Sequence, residues 1–141
     1  MKLTEYDLKA QSFLAKAEAK MSIIFVCHVK GFPFDNNDKM MHSKYQVVIT
    51  RNGKQYDFPF YGSHKDYLDG RKPSKYSILA CLEKYEQPDN LWEFAREYGY
   101  EINSEETYNR VNRIWQDCRD QYNALLDLFG DELMEELEAI Q

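Results

Sequence analysis

The chain reads as an α+β protein: a three-stranded antiparallel β-meander packed with about four to five α-helices, one of them long and C-terminal. Three observations predict this. Asn52-Gly53 sits between two alternating apolar runs, the signature of a type I′ hairpin whose two central residues need positive φ. Residues 21–30, MSIIFVCHVK, form a short β-branched and aromatic run. Tyr108, Val111, Trp115, Cys118, Tyr122, Leu125 and Phe129 recur at alternating spacings of three and four, the mark of one helical seam.

In chain order, 1–20 is read as an N-terminal helix. Thr4 is its N-cap, Asp7 stands at the third position, and Leu3 with Leu8 could form a staple. Tyr6, Ala10, Phe13, Leu14 and Ala17 mark its apolar face. The sheet is assigned to 21–61. Its first strand is apolar at Ile23, Phe25, Cys27 and Val29, and again at Ile24 and Val26, so both faces are expected to be covered. Residues 31–43 read as a loop, whose Phe32, Phe34, Met40 and Met41 either fold onto the core or form a contact patch.

A two-residue turn fixes the hairpin register, so Ile49 faces Tyr56, Val47 faces Phe58 and Tyr45 faces Phe60 on one buried face. Pro59 then falls at a non-bonded position with its missing N–H outward, which suits an edge strand. The expected order is therefore 21–30, then 44–51 in the centre, then 54–61 at the edge. Residues 62–72 connect the sheet to the helical part, 74–140. Ser74 caps one helix, Asp89 or Asn90 caps a short one that Gly99 stops, and Asn103 or Ser104 caps the long one, with Glu106 three residues after Asn103. Gly130 ends it, and an acidic piece follows with Leu133, Leu137 and Ile140 as anchors. Residues 1–141 form one domain, without internal repeats or a long linker.

An apolar content of 43% with 15% aromatic residues is too high for a disordered chain. No apolar run approaches the roughly 20 residues that cross a bilayer, and no secretory leader is visible. Cys27, Cys81 and Cys118 are odd in number and far apart, so they read as reduced core thiols in a cytoplasmic protein. Charge is uneven. Residues 101–141 hold 3 basic against 11 acidic side chains, whereas residues 1–100 hold 15 against 13. An acidic C-terminal third points away from direct phosphate binding.

No phosphate-cradling glycine loop, CxxC or HExxH occurs. Cys27, His28 and His42 could donate three groups, but neighbours on a strand point to opposite faces, so no metal is expected there. Ser63-His64 near Asp66 contains triad residue types, yet adjacent residues rarely reach base-to-nucleophile geometry. No cofactor and no enzymatic activity are expected. Lys65, Arg71, Lys72 and Lys75 interleave with Tyr61, Tyr67 and Tyr76, so 61–76 could grip single-stranded nucleic acid, with few charges for the task. Asp131, Glu132, Glu135, Glu136 and Glu138 are a solvated helix surface by default. The alternative is a partner surface that imitates phosphate spacing for a basic groove.

The segments YQVVITRNGKQYDFPFYGS, GRKPSKYSILACLEKY, LWEFAREYGYEINSEETYNRV and LFGDELMEELEAIQ, in this order, resemble a family of small phage and prophage proteins. That family carries a YxVxxxRNGKxYxFxF hairpin and a KPxxYDVLACLxKY helix, and the likeness spans roughly residues 20–140. Ser77 and Glu101 stand where the family pattern has Asp. The resemblance implies an anti-CRISPR protein acting in the bacterial cytoplasm. Its partner would be a host defence nuclease of the type II, single-protein RNA-guided class. Such nucleases hold nucleic acid in strongly basic channels, and an acidic protein without catalytic groups could fill one.

Overall fold

The computed structural model describes residues 4–30, 41–86 and 88–140. Its elements run α1 (Glu5–Lys16), β1 (Ala19–Lys30), β2 (Met41–Arg51), β3 (Lys54–Ser63), α2 (His64–Leu68), α3 (Lys75–Lys84), α4 (Leu91–Tyr98), α5 (Glu105–Phe129) and α6 (Asp131–Ala139). The three strands form one antiparallel sheet in the order β1-β2-β3.

The hairpin register follows from its turn. Asn52 and Gly53 both take positive φ, and Ile49↔Tyr56, Val47↔Phe58 and Tyr45↔Phe60 pair as the turn requires. Pro59 lies opposite Gln46 on the outer strand, where a missing N–H breaks no ladder bond. Tyr45, Val47, Ile49 and Phe58 are buried, and the last three join Ala10, Phe13, Leu14, Ile78, Leu79 and Leu82 in the main core. Phe13 meets Phe129 edge-on at 5.3 Å between ring centroids. The last turn of α5 thus touches the first helix.

β1 departs from its sequence pattern. The register shifts between Phe25 and Cys27, leaving Val26 as a bulge, so Cys27 pairs with Lys44 and His28 with Ser43. One inserted residue flips every later side chain to the other face. His28 therefore joins the face of Ile23 and Phe25, and Cys27 is exposed rather than a core thiol. Nor are both faces covered: Ile24 is 60% and Val26 49% exposed.

Other boundaries also move. The N-terminal helix stops at Lys16, because Glu18 takes φ +54 and turns the chain into a strand that begins at Ala19. Arg51 holds this turn, donating from Nε to Ala17 O (2.8 Å) and from Nη1 to Leu128 O (3.1 Å). A cation there also meets the negative end of α5. Residues 41–43 belong to β2 rather than to a loop, and 64–68 form α2. Leu3, Phe32, Phe34 and Met40 lie outside the described residues; Met41 is exposed.

Helix caps explain the remaining starts. The Asp7 N–H donates to Thr4 Oγ1 at 3.1 Å, and those of Ser77 and Glu93 donate to Ser74 Oγ and Asn90 Oδ1 at 3.0 and 2.9 Å. Ser104 caps α5, and the reciprocal residue is Thr107, not Glu106: the Ser104 N–H donates to Thr107 Oγ1 at 3.0 Å. On α5 the buried positions are Val111, Ile114, Cys118, Leu125, Leu128 and Phe129, while Tyr108 is exposed. A straight helix of 3.6 residues per turn drifts off a strict heptad, which brings in Ile114 and Leu128 and turns Tyr108 out.

Candidate partner-binding groove

Burial of α3 and α6 against the same helix creates an acidic concavity. Ile78, Leu79 and Leu82 bury one side of α3, and Met134 and Leu137 bury one side of α6, together with Leu125, Leu128 and Phe129 of α5. The polar sides of all three helices then face a shared cleft of about 660 Å³. Glu83 and Glu86 border it from the end of α3, Asp89 from the connection to α4, and Asp131, Glu135 and Glu138 from α6. Arg119 is its one cation.

Carboxylates this close raise one another's proton affinity. The Glu83 carboxyl is pushed up, first by burial and then by Glu138 and Glu86, with Lys84 opposing. Tyr122 on the floor is pushed up by burial, by the same acids and by its hydrogen bond to Glu86. Arg119 does not neutralise the cleft from its centre. Its guanidinium lies 5.0 Å over the Trp115 ring and donates to Asp89 O at 3.2 Å, so it braces the α3–α4 connection. Trp115 Nε1 donates to Pro88 O at 3.0 Å in the same brace.

Of the five acids singled out from the sequence, Asp131, Glu135 and Glu138 line this groove. Glu132 is exposed, and Glu136 turns to the other side, where it pairs with Lys16 of α1. Glu83, Glu86 and Asp89 were not anticipated. They lie about 50 residues from α6, in the part of the chain, residues 1–100, whose 15 basic and 13 acidic side chains nearly balance, so only the packing of α3 beside α6 reveals them.

The other sequence candidates are dispersed. Ser63 caps α2, accepting from the Asp66 N–H at 3.3 Å, and Asp66 pairs with Arg71 at 3.6 Å. His64 packs against His28 instead of meeting either, so Ser63, His64 and Asp66 do not assemble as a triad. In the 61–76 segment, Arg71 also meets Asp69 at 3.8 Å, Tyr67 packs on Phe25 and Tyr76 on Tyr6. The rings of Tyr67 and Tyr76 are therefore engaged within the fold. No group of three or more His, Cys, Asp or Glu side chains suited to a metal occurs among the described residues. No helix among them is long and apolar enough to cross a membrane.

Comparison of the chain with protein families, curated proteins and solved structures finds no match.

Proposed function

We propose that this protein is a non-enzymatic inhibitor whose acidic groove docks on the basic nucleic-acid channel of a host nuclease. The observation that carries this reading is the convergence of six carboxylates from α3, the α3–α4 connection and α6 on one cleft with a single cation. Such a surface holds unfavourable like-charge energy in the free protein, and a lysine- or arginine-rich partner relieves it. Clustered carboxylates also present the charge pattern of a phosphate backbone, so the same channel that takes nucleic acid takes this face. The phage and prophage likeness supports a type II RNA-guided nuclease as partner, in the manner of an anti-CRISPR protein.

The test is stoichiometric. Purified protein at an equimolar ratio blocks DNA binding or cleavage by the nuclease–guide complex. The paired changes Glu135→Lys and Glu138→Lys, on an exposed rim, relieve the block and slow association most at low salt. A protein that neither binds the nuclease nor slows cleavage ends this reading. Salt-sensitive binding to single-stranded DNA, lost on Lys72→Glu and Lys75→Glu, would replace it with a nucleic-acid-binding role for residues 61–76.

A further inference from the structure

Two irregularities in the polar bookkeeping of the fold fall on one spot. Ser43 is the one buried polar side chain among the described residues, at 0% exposure. His64 Nδ1 is the one buried side-chain nitrogen or oxygen there without a hydrogen-bond partner. Both belong to a cluster at the open end of the sheet, away from the Asn52-Gly53 turn. His28, Ser43 and Gly62 stand abreast on β1, β2 and β3, and α2 lays His64 and Tyr67 over them. The bulge at Val26 is what delivers His28 to this face.

His28 Nδ1 lies 3.2 Å from Ser43 Oγ. With the Nδ1 proton donated to that hydroxyl, the lone pair of His28 sits on Nε2. A ligating histidine is ordinarily fixed in this way, its other nitrogen held by a neighbour. The imidazoles of His28 and His64 are 4.5 Å apart between centroids, with their planes at 84°. Two imidazoles bound to one metal through bonds of about 2.0–2.1 Å have centroids roughly 4.5–5.3 Å apart, as the angle between the bonds opens from square to tetrahedral. The observed separation lies at the square end of that range. His28 is exposed, which gives solvent access for an incoming ion and for waters that complete its coordination.

We propose that His28 and His64 form a two-imidazole site for a borderline divalent transition metal ion, with Ser43 as a positioning residue. His28 Nε2 and His64 Nδ1 are the ligand atoms, and water fills the remaining positions. An ion bound there satisfies the orphaned nitrogen and ties α2 to β1, elements otherwise joined by ring packing. Imidazole ligands favour Cu²⁺, Ni²⁺ and Zn²⁺ over Mg²⁺ and Ca²⁺.

Cu²⁺ is the first probe. One equivalent gives a paramagnetic-resonance spectrum with hyperfine structure from two imidazole nitrogens, and Zn²⁺ competes with it only in large excess. His28→Gln and His64→Gln each weaken binding at least about tenfold, whereas His42→Gln and Cys27→Ser leave it unchanged. Ser43→Ala weakens binding by about tenfold with an unchanged melting temperature of the metal-free protein, the result that separates positioning from plain packing. Should a histidine variant fail to fold, nitrogen chemical shifts in the wild-type chain decide: Zn²⁺ moves His28 Nε2 and His64 Nδ1 and spares His42. Binding that survives both histidine changes, a signal from one nitrogen only, or no binding at about 1 mM ion overturns the proposal.

Discussion

The two halves of α5 live in different surroundings. Its C-terminal half, with Leu125, Leu128 and Phe129, is buried among α1, α3, α6 and the sheet. Its N-terminal half, with Val111, Ile114 and Cys118, is buried against Leu91, Phe94 and Ala95 of α4, with Tyr85, Tyr100 and Ile102 packed at the edge. The same helix thus serves as the spine of a large core and as one wall of a small one. Tyr85 packs against both clusters, and its hydroxyl accepts from Cys81 at 3.1 Å. The difference teaches that helical periodicity shows which side of a helix is buried, whereas the depth of burial depends on what the rest of the chain brings to it. The candidate groove opens beside this joint, lined by Tyr85 and Tyr122.

Emptying the large core has the largest expected effect. Leu125→Ala removes a fully buried side chain touching several elements and costs about 2–5 kcal/mol, read as one cooperative shift of the denaturation midpoint. Ile114→Ala costs less, about 2–3 kcal/mol, because a two-helix cluster collapses more easily around the gap. Hydrogen exchange sharpens this contrast: in that variant the amides of α4 lose protection well before those of α1 and α3. Gly99→Ala, at φ +75, costs about 1 kcal/mol and again acts on α4 first.

The smallest effect is electrostatic. The Glu83 carboxyl has a higher proton affinity in the folded chain than when unfolded, so its contribution is complete below the unfolded value. It is lost as pH rises through the folded one. Glu83→Gln therefore flattens the loss of stability between acidic and neutral pH, seen in midpoints measured across that range. At the alkaline end, burial pushes Tyr56 and Tyr98 up to about 12, with Asp120 and Glu97 adding to it. Their phenolates appear late in an absorbance titration, and stability falls as pH rises through that value.

Much of the fold was legible because its signals are local. Asn52-Gly53 specifies a turn by backbone sterics, and that turn carries the register of both strands with it. Thr4, Ser74, Asn90 and Gly99 act within four residues of themselves, and each starts or stops a helix as expected. Cys27 and His28 were misjudged because a bulge leaves no composition signal, and period-two reasoning fails beyond it. The groove was half legible: α6 announced its acids, while Glu83, Glu86 and Asp89 became part of the surface only through the placement of α3.

The α+β class, the meander order, the hairpin register and most helix ends are encoded locally, since each follows from short-range sterics and capping. Tertiary structure alone decided three things. It split α5 between two cores, gathered carboxylates of distant segments into one cleft, and set His64 against His28. These depend on packing between elements far apart in the chain, and no local pattern encodes which polar faces will meet once the apolar ones are buried.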